Sequence, residues 1–468
     1  MRTWRGIGLL LLVVTVFSPR VLGKVYVRWT QSSVPAEKIL GINDLVIPWS
    51  DAAKELAESA KKQGYHVYLE ATLEQSASAA AVSASLGAAG IVLKGSARDE
   101  SKLEEAAKSL RTQYLKLRIL VVSPQGKQPE MRGWLVFNKN GILQVSSPTS
   151  QPWLDQNLAM VRYERAFQSQ QAPLYGFSWD ETDPLVKENG PSPADYSLAI
   201  AEAGALHSDL ILEVHDRQQK GLLSGEKQTL SDWGQVKRTI AFYERPNKQE
   251  KEAAAVAVLT DDYDTTYEEI NLMARHNIPF RVLNSADVKA QDLMGFEVVI
   301  AFATLGKDLT EGIRAFADRG GVAILVNLPG AYPWDSSAEG KKGGSSVTYS
   351  VGKGRVIEVG EPVSDPETFA QDVRRLMDKQ RIPVSLWNSL TTLVVEYLGQ
   401  KPGEATVELV NYDEESTQVQ VQVKGYFNSV QFESPEQGCC ETLKPEHVDG
   451  FTDFVVPNLV SGGRVHLE

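Results

Sequence analysis

The chain has 468 residues, of which 42% are hydrophobic and 23% are charged, as in ordinary globular proteins. At roughly 100–200 residues per domain, this length suffices for two to four domains, each with its own core. The formal net charge of −12, with no basic cluster, argues against nucleic acid and anionic membrane surfaces as partners.

The first residues have the pattern of an export signal. Arg2 and Arg5 precede the apolar run Ile7–Phe17, which is short for a membrane span, and small residues follow at Val21-Leu22-Gly23. We therefore predict that residues 1–23 are a signal peptide cleaved near Gly23 and that the mature protein is secreted or periplasmic. The alternative is an uncleaved signal anchor. No cysteine stands directly after the apolar run, where a lipoprotein anchor would need one, and such an anchor is therefore excluded.

The first large segment, residues 24–247, alternates apolar runs with amphipathic stretches such as Ser50–Gln63 and Arg98–Tyr114. Eight such β/α-like units are the number and size expected of a (β/α)8 barrel. The candidate strands are Val25–Thr30, Asp44–Trp49, His66–Glu70, Gly90–Lys94, Arg118–Ser123, Leu143–Ser146, Leu174–Trp179 and Asp209–His215.

Two further segments follow a polar linker around residues 244–252. Residues 252–383 again alternate buried strands and helices, which predicts an open, mostly parallel sheet of the flavodoxin type. Residues 384–468 alternate apolar and polar residues between turn signals, which predicts a small antiparallel β-sandwich.

Two residue types bear on metals and redox chemistry. Cys439 and Cys440 are adjacent and can join only in a vicinal bridge, so we expect two free or partly buried thiols, with a redox role as the alternative. Six scattered histidines show no metal-binding spacing, and neither a metal nor another cofactor is predicted.

The domain order, a barrel followed by a flavodoxin-like domain and a β-domain, resembles that of the β-galactosidases of glycoside hydrolase family forty-two. The run DDYDTTYEEINLMARHNIPFRVLN, with FEVVIAFATLG and GGVAILVN after it, is similar to their amidotransferase-like trimerisation domain. The resemblance implies a homo-oligomer, a trimer. Residues 251–383 contain no cysteine, so a class I amidotransferase nucleophile is absent and the domain is expected to be structural.

The barrel departs from the pattern that the family implies. Retaining barrel glycosidases carry an acid/base after the fourth strand, usually as Asn-Glu, whereas GIVLKG places Lys94 there. At the seventh candidate strand, Trp179, Asp180 and Glu181 do occur in the run YGFSWDETD. The acid/base residue therefore cannot be assigned from the resemblance.

The active site of such a barrel lies at the carboxyl ends of the strands. Tryptophans offer flat platforms for the apolar faces of sugar rings, and carboxylates accept hydrogen bonds from hydroxyls. The predicted catalytic residues are Glu213, Asp180 and Glu70. The predicted substrate-binding residues are Trp29, Trp49, Lys94, Trp153, Asp155, Trp179 and His215.

Each of these residues has a structural alternative. Glu213 lies in the apolar run LILEVHD, where it would otherwise form a buried ion pair with an Arg or a Lys. His215 would otherwise be a core histidine, and Asp155 is first a helix N-cap. Lys94 is expected to pair with Glu70 across the mouth, and the acids Glu181 and Asp183 are more consistent with a turn.

The sequence thus predicts a secreted carbohydrate-active protein, a glycoside hydrolase acting on oligo- or polysaccharide through carboxylates at the barrel mouth. The alternative is a non-catalytic saccharide-binding or envelope scaffold protein derived from a glycosidase barrel. A third hypothesis, Schiff-base chemistry at Lys94, is the weakest because neighbouring acids favour the charged amine. Whether the protein is a catalyst stays open at this stage.

Overall fold

The computed structural model describes residues 23–133, 136–139, 142–145, 152–168, 171–179, 184–244, 251–335 and 340–468. The predicted signal peptide falls almost wholly outside these residues, as do Asp180, Glu181 and Asp183. No helix in the described ranges is long and apolar enough to cross a bilayer.

Eleven strands are described in the first segment, and they fall into one parallel sheet and two short antiparallel pairs. Their bounds are β1 Val25–Arg28, β2 Asp44–Pro48, β3 His66–Ala71, β4 Gly90–Leu93, β5 Arg118–Val121, β6 Glu130–Gly133, β7 Val136–Lys139, β8 Ile142–Val145, β9 Trp153–Asp155, β10 Leu174–Phe177 and β11 Asp209–Glu213.

The described helices of this segment include those expected from the amphipathic stretches. Their bounds are α1 Glu37–Leu40, α2 Ala53–Lys62, α3 Ser76–Leu86, α4 Glu100–Gln113, α5 Leu158–Phe167, α6 Pro184–Asn189, α7 Pro193–Ala205, α8 Asp216–Ser224 and α9 Lys227–Tyr243.

The parallel sheet has the order β10-β11-β1-β2-β3-β4-β5, and a bridge between Ser123 and Tyr175 joins its two edges. The predicted barrel is confirmed, but it closes with seven strands instead of eight. The predicted strand Leu143–Ser146 lies outside it, because β8 pairs antiparallel with β7. Strands so close in sequence form a hairpin, whereas a parallel partner needs a long crossover.

The barrel interior is filled in layers, because every second strand residue points inward. The middle layer is apolar and aromatic and packs as one cluster. Its members are Tyr26, Val46, Tyr68, Val92, Leu120, Val122, Leu174 and Ile211. The same alternation places the inward residues of the next layer at the carboxyl ends of the strands, where the predicted site lies.

The second segment begins with the two-residue strand β12, and the seven strands that follow it form an open α/β sheet. The bounds are β12 Lys251–Glu252, β13 Val256–Thr260, α10 Tyr267–Arg275, β14 Phe280–Asn284, β15 Val298–Ala301, α11 Lys307–Asp318, β16 Val322–Val326, β17 Lys341–Gly343, β18 Ser346–Val351, β19 Gly354–Val359 and α12 Pro366–Leu376.

The order of this sheet is β14-β13-β15-β16-β19-β18-β17. Its five parallel strands follow the 2-1-3-4-5 order of flavodoxin-like folds, so the predicted fold type of this segment is confirmed. The hairpin β17–β18 extends the sheet antiparallel at one edge.

The third segment is antiparallel, and its strands form two sheets around a shared apolar core. The bounds are β20 Val384–Leu386, β21 Thr392–Leu398, β22 Ala405–Asn411, β23 Thr417–Lys424, β24 Val430–Ser434, β25 Gly438–Thr442, β26 Glu446–Val448, β27 Phe451–Leu459 and β28 Gly462–Leu467.

One sheet has the order β12-β21-β22-β28-β24-β25 and the other β20-β23-β27-β26, so the predicted sandwich is confirmed. Strand β12, at the end of the predicted linker, pairs with β21 and is thereby part of the sandwich. The expectation of free thiols is wrong, because Cys439 and Cys440 are joined in a disulfide on the exposed strand β25.

Buried polar contacts hold the barrel against the sandwich. Glu202 of α7 is fully buried, and its carboxylate accepts hydrogen bonds from the side chains of Asn157, Tyr175 and Tyr412. Tyr412 directly follows β22, so this carboxylate joins the barrel to the sandwich. Burial raises the pKa of Glu202 even though the donors that surround it lower it.

Glu396 of β21 is the subject of the first prediction. Its side chain is buried, Oε2 makes no hydrogen bond, and burial raises its pKa to about 8. The folded chain therefore keeps the proton up to about pH 8, whereas the unfolded chain releases it near its ordinary value of about 4.3. Between these values, stability falls by about 1.4 kcal/mol for each pH unit gained.

The substitution Glu396→Gln removes this titration, so we expect it to raise the free energy of unfolding at pH 8 and to change it little near pH 4.5. Chemical unfolding at both pH values measures the difference. Glu414→Gln is the matched control, because Glu414 is an exposed acid of the same sandwich. An equal effect of Glu396→Gln at both pH values would contradict the prediction.

Candidate functional site

The barrel mouth is lined by the inward residues that follow the apolar middle layer. We use "mouth layer" for Arg28, Glu70, Lys94, Gly176 and Glu213, which share the inward face of β1, β3, β4, β10 and β11 by their two-residue spacing. The sequence predicts Glu70, Lys94 and Glu213 at one rim, and the strand register puts all three there.

Arg28 lies at the centre of the mouth layer and binds Glu70 through two parallel hydrogen bonds. Its Nε donates to Glu70 Oε2 at 2.9 Å, and its Nη2 donates to Oε1 at 3.0 Å. Pro48 of β2 lies opposite Glu70 and has no long side chain, so the arginine can reach across β2. This fork geometry is the strongest form of arginine–carboxylate contact.

Arg28 also binds Glu213, which lies directly beside it on β11. The Nη1 atom donates to Glu213 Oε1 at 2.8 Å, while Oε2 makes no hydrogen bond to any residue in the described ranges. The Glu213 side chain is 28% exposed, compared with 11% for Glu70. The ion pair that sequence analysis gave as the structural alternative for Glu213 is therefore present.

The two carboxylates act back on the arginine. Burial would lower the pKa of Arg28, but the hydrogen bonds and charges of Glu70 and Glu213 outweigh it and raise the pKa overall. The guanidinium thus stays charged and binds both acids, and it offsets one of their two negative charges. Each carboxylate still has lone pairs that can accept hydrogen bonds from a ligand.

Lys94 does not pair with Glu70, so that expectation is wrong. Its ammonium is exposed and forms no ion pair with any described residue. Arg28 is closer and takes both oxygens of Glu70. The mouth layer therefore contains two cations and two acids, and its formal charge is balanced.

The mouth has room beside β10. A Cβ added at Gly176 would meet no atom within 4 Å, so the inward face of this strand end is open. Trp179 follows β10 and is half-buried, with its ring 5.5 Å from the ring of His215. Its indole nitrogen is buried and has no hydrogen-bond acceptor among the described residues. Asp180, the third predicted catalytic residue, lies outside the described residues.

Trp29 is not a sugar platform, which corrects the sequence analysis. It follows the inward residue Arg28, so its side chain points outward, away from the mouth, and it is completely buried. Its indole N–H donates to the carbonyl oxygen of Ser33 at 2.7 Å. Trp49 is half-buried and packs against the same core, and its role in binding stays a prediction.

Trp153 and Asp155 also have roles other than those predicted. Both belong to β9, and the Trp153 indole donates to Asp155 Oδ1 at 3.0 Å. The Arg275 guanidinium of the second segment lies 4.7 Å from the Trp153 ring centre, so this face of the indole is covered. The N-cap of α5 is Asn157 and not Asp155. The pair therefore belongs to the contact between the barrel and the second segment.

His215 is the N-cap of α8, and its Nδ1 accepts the backbone N–H of Arg217 at 3.2 Å. Gln219 of the same helix is buried and was missed by sequence analysis. Its side-chain oxygen accepts from the backbone of Thr30 at 2.9 Å, which ties the loop after β1 to α8. Arg28 is not among the site residues predicted from the sequence, although a charged residue that ends the apolar run VYVR was a usable signal.

Comparison with known proteins gives a fold and no close relative. No family model and no curated protein sequence matches the chain. Among solved structures, α-L-fucosidase isoenzyme 2 from Paenibacillus thiaminolyticus superposes with a TM-score of 0.59 at 11% identity, covering 95% of this chain and 99% of that one.

A β-galactosidase from the haloarchaeon Halorubrum lacusprofundi has a TM-score of 0.45 at 10% identity, covering 95% of this chain and 99% of that one. A family 42 β-galactosidase from G. stearothermophilus has a TM-score of 0.44 at 11% identity, covering 88% and 68% of the two chains. The fold of the chain is that of a glycoside hydrolase-type barrel with appended α/β and β-sandwich domains. The likeness at these identities is one of fold.

The ion pairs of Arg28 give the second prediction. Arg28→Met leaves Glu70 and Glu213 facing each other without a cation, and we expect the free energy of unfolding at pH 7 to fall by about 2 kcal/mol. The double variant Arg28→Met/Glu213→Gln should recover part of the loss, because one of the repelling charges is gone. Chemical unfolding of the three proteins measures both effects.

Arg217→Met is the control, since Arg217 is an exposed arginine near the same strand end and contacts only neutral groups in the described ranges. It should change the stability by less than about 0.5 kcal/mol. A loss at Arg28→Met that is no larger than this control would contradict a structural role for the arginine.

Proposed function

We propose that the barrel mouth binds a neutral oligo- or polysaccharide, and that Glu70 and Glu213 bind its hydroxyls without cleaving it. The single observation that carries this proposal is Arg28, which binds both carboxylates at once. Glycoside hydrolysis needs one carboxyl that can donate a proton, and neither acid held by the guanidinium is suited to that step. Acceptance of hydroxyl hydrogen bonds needs only the anions.

The balanced charge of the mouth layer supports a neutral ligand. Arg28 and Lys94 offset Glu70 and Glu213, so an uncharged sugar meets donors and acceptors without a net field. The open space at Gly176 leaves room for a ring beside Trp179. The whole-chain fold likeness to an α-L-fucosidase agrees with a carbohydrate ligand, because that enzyme's name states a sugar substrate.

Hydrolysis is the second candidate, and the free Oε2 of Glu213 favours it. A carboxylate with one oxygen bound by arginine and the other unbonded can attack a sugar carbon or activate water. The proton donor would then be Asp180, which follows the neighbouring strand β10 by three residues. Glu70, with both oxygens bound by Arg28, has no part in this second candidate.

The third prediction separates the two candidates. Isothermal titration with a panel of neutral oligosaccharides should detect binding to the wild type, and Glu213→Gln should weaken it about tenfold because a charged acceptor is lost. Release of nitrophenol from a matching panel of nitrophenyl glycosides should stay at the level of buffer.

Glu105→Gln, an exposed acid on α4, serves as the control in both assays. Nitrophenol release that both Glu213→Gln and Asp180→Asn abolish would establish the second candidate and overturn the first. An absence of binding to every panel member would overturn both.

Export belongs to the same proposal, with cleavage between Gly23 and Lys24. The sequence pattern of residues 1–23 supports it, and so does the position of Lys24, whose backbone nitrogen donates to Asp209 Oδ1 at 3.0 Å. Asp209 is buried, and burial raises its pKa to about 6. Cleavage would place a new ammonium group against this carboxylate and form an ion pair there.

The fourth prediction concerns this cleavage. Full-length chain expressed in a bacterial host should appear outside the cytoplasm with Lys24 as its first residue, as read by N-terminal sequencing and intact mass. Asp209→Asn should then lower the thermal midpoint of the processed chain more than that of a cytoplasmic chain extended by Met-Gly before Lys24. Equal shifts of the thermal midpoint in the processed and the extended chain would contradict the ion pair between Lys24 and Asp209.

A homo-oligomer rests on resemblance alone. The second segment is similar in sequence to a trimerising domain, and no contact between copies has been described. We keep the trimer as a proposal to be decided by light scattering of the purified protein.

A further inference from the structure

A cleft lies between the second and third segments, far along the chain from the barrel mouth. It encloses about 240 Å³ and is walled by the turn 275–279 after α10, by the end of α12 and by the stretch 382–390 around β20. We call it the interdomain cleft. Its volume is below that of pockets for drug-sized ligands, and it suits a single ring.

The interdomain cleft carries one uncompensated positive charge, that of Arg374, in a protein whose net charge is −12. Within the described part of the chain no aspartate or glutamate lines it, whereas Arg275, His276 and Arg374 do. Glu367 lies behind the wall and binds Arg275 and His276, each at 2.6 Å. That carboxylate pairs with Arg275, and burial lowers the pKa of His276, so only the third basic side chain adds a positive charge to the cleft.

Arg374 is that third cation. Its side chain is exposed, its Nη1 donates weakly to the carbonyl of His276 at 3.5 Å, and it forms no ion pair with a described residue. The next residue, Arg375, differs in this respect because it binds Asp372 at 2.6 Å. A guanidinium that faces a cleft without an acid attracts a carboxylate from solution.

The rim of the interdomain cleft is apolar and exposed. Trp387 is 62% exposed and Leu390 is 50% exposed, which is unusual for such large apolar side chains. The backbone N–H of Trp387 donates to the carbonyl of Gln420 at 3.2 Å, so the sheet holds the indole at the rim. A flat, exposed indole beside a cavity is a stacking surface for a ring with an apolar face.

We propose that the interdomain cleft binds a pyranose ring that bears a carboxylate, as in an acidic polysaccharide. The ring lies against Trp387, and its carboxylate accepts hydrogen bonds from Arg374. The requirement for an anion follows from the charges of the cleft. The choice of a sugar over another flat anion rests on the proposed carbohydrate function.

Isothermal titration with digalacturonate tests this proposal, and the neutral disaccharide of the same linkage and benzoate serve as comparison ligands. We expect digalacturonate to bind more tightly than either, with an affinity that falls as salt is added. Arg374→Gln and Trp387→Ala should each weaken the binding about tenfold, because one removes the charged donor and the other the stacking surface.

Two matched controls should leave the binding unchanged. Arg375→Gln removes the neighbouring arginine that already has an acid partner, and Tyr426→Ala removes an exposed aromatic residue on another part of the sandwich. Arg374 and Trp387 are also exposed, so all four variants should unfold at the same temperature as the wild type.

Each other outcome overturns a stated part of the proposal. Equal affinity for the neutral disaccharide would overturn the role of Arg374, and equal affinity for benzoate would overturn the choice of a sugar. If Glu213→Gln lost digalacturonate binding while Trp387→Ala kept it, the ligand would be assigned to the barrel mouth. The proposed function would then still stand. Absence of digalacturonate binding at millimolar concentration would overturn the site.

Discussion

The docking of the barrel against the sandwich depends on one buried carboxylate, that of Glu202. It lies on α7 of the barrel and accepts hydrogen bonds from Asn157 before α5, Tyr175 of β10 and Tyr412 of the sandwich. An isolated buried anion would be costly, and these donors make it tolerable. Asn157 and Tyr175 donate from within the barrel, and the hydroxyl of Tyr412 adds a donor from the sandwich, so docking completes the hydrogen bonding of this buried carboxylate. The contact of Arg162 on α5 with Glu252 of β12 acts in the same direction, since β12 is a strand of the sandwich sheet.

Docking has consequences for both proposed sites. It covers Trp153 and Asp155, which sequence reasoning placed in a sugar-binding loop, with Arg275 of the second segment. Contact between the second and third segments forms the interdomain cleft, whose walls come from both. The barrel mouth, in contrast, is built within one segment and is organised by Arg28. Its balanced charge and the positive charge of the cleft suit different ligands, a neutral and an acidic saccharide, and this difference allows the two sites to be tested separately.

Much of the fold could be predicted from the sequence because strands and helices have distinct apolar periods. Seven of the eight candidate barrel strands lie in the barrel, and the second and third segments have the predicted types of sheet. The remaining candidate, Leu143–Ser146, is not a barrel strand. A short apolar run does not indicate which strand it pairs with, and β7 ends only two residues before β8 begins, so the two form a hairpin. The adjacent cysteines were expected to be free, yet Cys439 and Cys440 are bonded to each other.

For the candidate site, the sequence by itself determined that Glu70, Lys94 and Glu213 face one rim, because parallel strands end on the same side and inward residues alternate. It also determined the absence of an amidotransferase cysteine and of an Asn-Glu pair after the fourth strand. Only the tertiary structure decided which charges meet. Strand order brings Arg28 beside Glu213 and within reach of Glu70, while Lys94 stays in solvent. Because side chains alternate along the strand, Trp29 points into the surrounding core although its neighbour Arg28 faces the mouth. Such pairings depend on distances between residues far apart in the chain, and a pattern of local periods does not contain them.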